Sequence, residues 1–144
     1  MLFKRINRDA PDQVFVICKN GEDFELKGGT PVVYDFTTAK NGYSVILPTT
    51  AMLNAFAGVV ADDEILGKSG TANEFGKVQV YGYHPAVYIA GTTAAAGDEL
   101  QPVNAKSYLT LSAITTAYAI AGEQASLKAS STFGNKYKVF IRAM

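Results

Sequence analysis

Short runs of apolar residues, separated by glycine-containing turns, make up most of the hydrophobic pattern of this chain. The runs are rich in β-branched and aromatic residues, which fit a pleated, half-buried strand better than a helix. Turn signals such as Asn20-Gly21 and Asn41-Gly42 recur about every ten residues, a spacing typical of sandwiches and barrels. The clearest predicted strands lie at residues 14–19, 30–36, 43–47, 77–81, 83–89 and 138–142.

The predicted fold class is therefore all-β: a small antiparallel β-barrel or β-sandwich with an extended N-terminal arm and at most a short helix. The helix candidate lies at residues 49–58, after a threonine cap. Residues 112–129 are rich in alanine and fit both helical and period-two spacing. A strand is favoured there because Thr115, Thr116 and Gly122 are poor helix formers.

The chain is predicted to divide into an extended arm, residues 1–13, and a single β-rich domain, residues 14–144. The arm is polar and contains Pro11, and the total length of 144 residues is that of one ordinary domain. No stretch approaches the roughly 18 uninterrupted apolar residues of a membrane span, and the N-terminus lacks the apolar core of a secretory leader. We therefore expect the protein to be synthesised in the cytoplasm and to have no membrane partner.

The charge of the chain is balanced overall but uneven along its length. Thirteen basic residues offset 13 acidic ones, which excludes a strongly basic nucleic-acid binder, so no nucleic-acid partner is expected. Residues 1–19 carry a net charge of +2, residues 20–123 carry −6 and residues 124–144 carry +4. If the arm and the C-terminal strand lie together, one side of the domain is basic and the other acidic.

The residues that usually carry chemistry form no recognisable catalytic or metal-binding set. Cys18, the single cysteine, lies in an apolar run, so we expect a small buried side chain rather than a nucleophile. His84, the single histidine, precedes Pro85 and has no nearby serine, so no catalytic triad is expected. One histidine and one cysteine are too few ligands for a zinc site. The sequence predicts a non-enzymatic protein without cofactors or metals.

Three polar segments resemble chemical motifs but fit loops better. Asp62-Asp63-Glu64 lacks the alternating ligand spacing of a calcium loop and is predicted to be a solvated turn. Asp98-Glu99 is predicted to be a loop tip rather than an acid–base pair. Gly67-Lys68-Ser69-Gly70 lacks the earlier glycine of a phosphate-binding loop, because Asp62 stands in its place.

Three tyrosines are the most distinctive candidates for an interaction site: Tyr81, Tyr83 and Tyr88. The first two lie two residues apart and therefore share one face of a strand. Exposed tyrosines stack on sugars or bases, and they are also enriched at subunit interfaces. We favour a subunit interface or a cross-strand aromatic pair, because the acidic body of the chain repels phosphate backbones.

The stretch from Ala55 to Asn104 resembles the decoration, or cement, proteins of tailed-phage capsids. In that family a Gly-x-Val-x-Val-x-Gly strand leads to a loop that re-enters with Ala-Gly-Asp-x-Leu, and a final strand closes the module. The similar segments of this chain are Phe56-Ala57-Gly58-Val59-Val60, Gly76-Lys77-Val78-Gln79-Val80-Tyr81-Gly82, Ala96-Gly97-Asp98-Glu99-Leu100 and Tyr137-Lys138-Val139-Phe140-Ile141-Arg142.

The resemblance implies a module that sits on the outer surface of the major capsid protein shell and stabilises the capsid. It implies the virion capsid surface as the location, the major capsid protein as the partner and, as in many family members, a homotrimer. A flexible basic arm suits contact with a neighbouring acidic or polar surface, and repeated contacts across a lattice make a weak single contact sufficient. The candidate shell-binding residues are Phe3, Lys4, Arg5 and Arg8.

Two alternatives stay open at this point. One is a small-ligand or glycan-binding β-domain on a virion or cell surface, with Tyr81, Tyr83 and Tyr88 exposed in a concave site. The other is a structural component elsewhere in the virion, such as a tail or fibre module. Fibre proteins tend to show repeats or heptads, and this chain shows neither.

Overall fold

The computed structural model of the protein describes residues 13–90, 93–112, 118–122 and 135–143. In these residues the chain forms eleven strands, one turn of 3-10 helix at Thr50–Met52 and no α-helix. The prediction of an all-β fold with at most a short helix is confirmed. The strands are β1 (Val14–Asn20), β2 (Leu26–Lys27), β3 (Pro31–Tyr34), β4 (Ser44–Ile46), β5 (Phe56–Val60), β6 (Ile65–Leu66), β7 (Phe75–Ile89), β8 (Glu99–Pro102), β9 (Leu109–Leu111), β10 (Ala119–Ala121) and β11 (Asn135–Arg142).

The 15-residue strand β7 organises the fold, because two rings of five strands share it. In the first ring β7 is followed by β1, β4, β3 and β5, and β5 returns to β7. In the second ring β7 is followed by β11, β10, β8 and β9, and β9 returns to β7 at Ile89 and Leu109. The β1–β4 and β7–β9 pairings are parallel and the others in the rings are antiparallel, while β2 and β6 form a separate two-stranded sheet.

Two hydrophobic cores lie beside β7, one chiefly beside each ring. They form because β-branched and leucine side chains occupy the inward positions of successive strands, where burial removes them from water. The first core contains Cys18, Leu26, Val32, Val45, Ala57, Val60, Leu66 and Val78. The second core contains Phe56, Val59, Val87, Ile89, Ala94, Leu100, Leu109, Ala119, Ala121, Val139 and Ile141.

One predicted strand boundary is wrong, because β7 runs through Gly82 and Pro85 instead of ending between residues 81 and 83. Gly82 stays in the ladder opposite Ile141 with a φ of 97°, a conformation that glycine adopts without strain. Pro85 has no partner on β11, because the register shifts between Tyr137 and Val139. Its missing N–H therefore costs no ladder hydrogen bond.

Two of the predicted segments are described only in part. The strand favoured within residues 112–129 is found at Ala119–Ala121, where it pairs with β8 and β11, and residues 113–117 and 123–129 lie outside the described residues. Of the predicted arm only Gln13 is described, and its side-chain amide donates a hydrogen bond to the carbonyl oxygen of Tyr83. The division of the chain into an arm and a single domain stays a prediction.

Candidate functional site

The solvent side of β1, β7 and β11 carries a cluster of large apolar side chains, which we call the aromatic face: Phe15, Ile17, Tyr81, Tyr83 and Phe140. Ile17 is 62% exposed, Tyr83 is 45% exposed and Phe15 is 40% exposed. Single exposed apolar residues are common on protein surfaces, but a contiguous group of them is typical of a surface that binds a partner.

The alternation of β1 explains how its part of the face arises. Cys18 points into the first core, so Phe15 and Ile17, at the opposite positions of the pleat, point to solvent. Antiparallel pairing places Ile17 opposite Lys77 of β7, whose ammonium lies 5.9 Å from the centre of the Phe15 ring. The lysine thereby joins Phe15 of β1 to β7 through a cation–π contact.

The remaining rings of the face form a three-ring cluster across β7 and β11. Phe140 pairs with Tyr83 in the ladder, and its ring centre lies 5.3 Å from that of Tyr83 and 5.2 Å from that of Tyr81. Both contacts are edge-to-face, the geometry that aromatic rings prefer. The two tyrosines are therefore held in place by Phe140 while their outer surfaces remain exposed.

The cations beside the aromatic face are neutralised by carboxylates of the same chain. Lys77 lies 3.1 Å from Asp63 and 3.2 Å from Glu64, and Arg142 lies 3.2 Å from Glu99. Such exposed pairs add little stability, but they leave little net charge to attract phosphate groups. The face is therefore an apolar surface with a charge-balanced border.

Tyr88 is not part of the aromatic face. It is half-buried and lines a cleft together with Phe24, and Lys136 Nζ lies 5.1 Å from the centre of its ring. The register shift in the β7–β11 ladder, between Tyr137 and Val139, lies between Tyr88 and the two exposed tyrosines. The structure thus brings Tyr81 and Tyr83 together and places Tyr88 in a different environment.

His84 is fully buried inside β7, with both ring nitrogens hydrogen-bonded. Its Nδ1 accepts the backbone N–H of Ala86 at 3.1 Å, which requires that nitrogen to be unprotonated. Its Nε2 lies 3.0 Å from the carbonyl oxygen of Val60 and therefore carries the proton that it donates. Burial lowers the pKa of His84, so the ring is neutral and serves as a structural link between β7 and β5.

Cys18 and the acidic turn have the environments that the sequence predicts. Cys18 is 1% exposed, and burial raises the pKa of its thiol to about 11, which makes it a poor nucleophile. Asp62 and Asp63 are exposed in the turn between β5 and β6. A hydrogen bond from Lys77 lowers the pKa of Asp63, so this carboxylate is engaged in an ion pair.

No group of three or more His, Cys, Asp or Glu side chains that could hold a metal ion occurs in the described parts of the chain. In the same parts of the chain, no helix has the length and the apolar character that crossing a membrane requires. The predicted shell-binding residues Phe3, Lys4, Arg5 and Arg8 lie outside the described residues, and their role stays a prediction.

Three members of the aromatic face escaped the sequence analysis: Phe15, Ile17 and Phe140. The run from Val14 to Cys18 is apolar at every position, so alternation gives no sign of which side chains face the solvent. Phe140 carries a usable signal, because it alternates with Val139 and Ile141, which are buried. A strand with two inward aliphatic residues predicts that the residue between them lies on the outer side.

Neither the protein-family models nor the curated proteins include a match to this chain. Among solved structures the chain is similar to the head fiber gp8.5 N base in bacteriophage phi29, with 16% sequence identity and a TM-score of 0.48. The similarity covers 92% of this chain and 96% of that one, and at this identity and TM-score it carries no argument about function.

Proposed function

We propose that this chain is a non-enzymatic structural protein of a phage virion, which binds the outer surface of the major capsid protein shell and stabilises the capsid. In this proposal Phe3, Lys4, Arg5 and Arg8 contact the shell. The aromatic face joins copies of the chain into a homotrimer. The location is the capsid surface of the virion.

The observation that carries the proposal is the aromatic face. Tyrosine and phenylalanine are enriched at protein interfaces, where their rings bury a large area for little loss of side-chain freedom. A face centred on Tyr81, Tyr83 and Phe140 has this composition, and its rings are held in fixed positions by edge-to-face contacts. A fixed surface binds a partner with a smaller entropic cost than a mobile one.

The charges around the face support a protein partner over a nucleic acid. Lys77 and Arg142 are already paired with carboxylates, so a second copy of the same face meets no large excess of like charge. The resemblance of residues 55–104 to decoration proteins supports the same proposal and is the reason for proposing the major capsid protein as the partner.

The shell contact is tested by deleting residues 2–12 and mixing the product with undecorated shells. Wild-type protein is expected to co-sediment with the shells, and the deletion variant is expected to remain in the supernatant. The circular dichroism spectrum and the unfolding transition of the variant serve as controls for folding. Undiminished co-sedimentation of the folded variant contradicts the role given to the arm.

The subunit contact is tested with a matched pair of variants, Ile17→Ser and Ile65→Ser. Both isoleucines are exposed, at 62% and 56%, but only Ile17 belongs to the aromatic face. Analytical ultracentrifugation of wild-type protein is expected to give a trimer, and Ile17→Ser is expected to weaken its association about tenfold, a loss of about 1.4 kcal/mol. Ile65→Ser is expected to leave association unchanged; equal effects of the two variants, or a monomeric wild type, contradict the proposed interface.

A further inference from the structure

We propose that a groove lined by Phe24, Lys27, Lys106 and Tyr88 binds an oligosaccharide that carries acidic groups. The groove is separate from the aromatic face, and this inference is independent of the proposed shell-binding role. It rests on the shape of the groove, on the state of its lysines and on the hydrogen bonds that hold its walls.

The main part of the groove is a cleft of about 530 Å³, within the size range of small-ligand sites. It lies between β2, the turn before β9 and the C-terminal part of β7. Two aromatic side chains line it, Phe24, which is 44% exposed, and Tyr88, which is half-buried. Rings in such a position serve as platforms for the apolar faces of sugar rings. The other lining residues are Glu25, Leu26, Lys27, Thr30, Leu47, Ala105, Lys106 and Ser107.

A second cleft of about 320 Å³ adjoins the first at Phe24. It shares Phe24 and Glu25 with the first cleft and adds Lys68, Thr71 and Asn73, together with Gly67. Two clefts that meet at one exposed aromatic ring form an elongated site. Such a shape suits a chain of several sugars better than a single compact molecule.

The lysines of the groove are not engaged in ion pairs, whereas several other cations of the described residues are. Lys19 lies 3.4 Å from Glu74, Lys136 lies 3.5 Å from Asp62, and the cations beside the aromatic face are paired as well. Within the described ranges Lys27, Lys68 and Lys106 form no ion pair. The groove thus presents three lysines against one carboxylate, that of Glu25. This excess of positive charge is complementary to an acidic ligand.

Buried hydrogen bonds fix the wall that carries Phe24. The fully buried side chain of Asn20 donates to the carbonyl oxygen of Phe24 at 2.8 Å and to those of Leu66 and Gly67 at 3.2 and 3.0 Å. The Glu22 carboxylate, two residues further, accepts the backbone N–H of Leu47 at 2.8 Å. The segment from residue 20 to 25 is therefore hydrogen-bonded to Leu66 and Gly67 on one side and to Leu47 on the other.

The opposite wall, which carries Lys106, is anchored in the same way. The backbone N–H of Ala105 donates to the carbonyl oxygen of Pro48 at 2.7 Å, and Asn104 accepts the backbone N–H of Thr50 at 2.9 Å. Because both walls are held before a ligand arrives, binding does not have to order them. A groove with anchored walls, aromatic rings, unpaired ammonium groups and side-chain hydroxyls matches the apolar faces, acidic groups and hydroxyls of an acidic oligosaccharide.

Isothermal titration calorimetry with three hexasaccharides tests this proposal: hexagalacturonate, which carries carboxylates, a chondroitin sulfate hexasaccharide, which carries sulfates as well, and maltohexaose, which is neutral. We expect at least one acidic probe to bind at least tenfold more tightly than maltohexaose. Equal binding of acidic and neutral probes, or no binding of either acidic probe at millimolar concentration, overturns the proposal. Complete displacement of the acidic probe by equimolar inorganic phosphate also overturns it, because the site then recognises only an anion.

Matched variants locate the binding. Lys106→Gln and Phe24→Ala are each expected to weaken binding of the acidic probe at least fivefold. The controls are Lys40→Gln and Phe36→Ala, which change an exposed lysine and an exposed phenylalanine that do not line the groove. The controls are expected to bind like the wild type, and a loss of affinity in them equal to that in the groove variants overturns the assignment of the site.

Discussion

His84 shows at the scale of one residue how this fold uses a titratable group for structure. Its ring is surrounded by β7, by Val60 at the end of β5 and by Val139 of β11, its partner in the ladder. Both nitrogens are hydrogen-bonded only when the ring is neutral, with the proton on Nε2. Protonation of Nδ1 removes the acceptor for Ala86 N–H and places a charge among buried groups.

Stability is therefore expected to fall as the pH drops below about 6.5. Burial lowers the pKa of His84 from its ordinary value of 6.5, so the unfolded chain takes up a proton at a higher pH than the folded chain. The contribution of the neutral ring is fully present above pH 6.5, and it is lost at up to about 1.4 kcal/mol per pH unit as the pH falls from there toward the lowered pKa. Urea unfolding at pH 7.5, 6.5 and 5.5 measures this loss.

The variant His84→Gln serves as the comparison for that experiment, because glutamine retains a side-chain N–H but does not titrate. Its starting stability is expected to be lower than that of the wild type. Between pH 6.5 and 5.5 its free energy of unfolding is expected to stay nearly constant. Parallel declines of the wild type and the variant would show that another group causes the pH dependence.

Gly29 illustrates a backbone requirement beside the proposed groove. Its φ is 88°, and a Cβ at this position would lie 2.3 Å from the carbonyl oxygen of Ala86 and 3.5 Å from the Tyr88 ring. Gly70 has a similar φ of 83° but open space around it. Gly70→Ala is expected to cost about 1–2 kcal/mol from backbone strain alone, and Gly29→Ala at least 1 kcal/mol more. Chemical denaturation of both variants measures the loss in free energy of unfolding. Equal losses for the two variants would contradict the close contact with Ala86.

At the scale of elements, β7 determines how the two cores depend on each other. Its N-terminal part pairs with β1 and β5 of the first ring, and its C-terminal part pairs with β11 and β9 of the second ring. A strand that belongs to both rings cannot unfold in one without exposing part of the other. We therefore expect the two rings to unfold together.

Truncation of one leucine in each core tests this coupling. Leu66 belongs to the first core and Leu109 to the second, and both are fully buried. Leu66→Ala and Leu109→Ala are each expected to cost about 2–5 kcal/mol. Hydrogen exchange of β1 and of β10 is expected to accelerate together in either variant. Acceleration confined to the ring beside the substituted core would contradict a single cooperative unit.

Much of this element arrangement was predictable from the sequence, and the exceptions have physical causes. The strands around Val16, Val45 and Val139 were predicted because β-branched runs bounded by glycine, proline or asparagine have few other stable conformations. The continuation of β7 through Gly82 depends on its pairing with Ile141 of β11, which is a property of the pair and not of either strand. The sharing of β7 by two rings likewise depends on pairings between residues far apart in the chain.

The candidate sites were less predictable for the same reason. The exposed pair Tyr81 and Tyr83 follows from period-two spacing, but its contact with Phe140 depends on the β7–β11 register. The groove combines side chains from β2, β7 and the turn before β9, so no local pattern in the sequence indicates it. Phe24 and Lys106 line the same cleft in the folded chain, although they are far apart in the sequence.

At the scale of the whole molecule, the described part of the basic C-terminal segment is partly neutralised by the acidic body. Lys136 and Arg142 of the basic C-terminal segment contact Asp62 and Glu99 of the acidic body. The described end of the arm, at Gln13, and the end of β11, at Arg142, flank the same part of β7. Gln13 is uncharged and is the one described residue of the arm, so the proximity of the two basic segments stays a prediction, while carboxylates from the body neutralise Lys136 and Arg142.

The copy number of the chain on intact phage particles is the measurement that tests the central claim most directly. Particles that encode this chain would be purified, and the ratio of the chain to the major capsid protein would be measured by quantitative mass spectrometry, with surface protease digestion to locate it. The account predicts a copy number near that of the shell protein and loss of the chain under protease treatment that leaves the shell intact. Absence from the particles, or a few copies that fractionate with the tail, would contradict it.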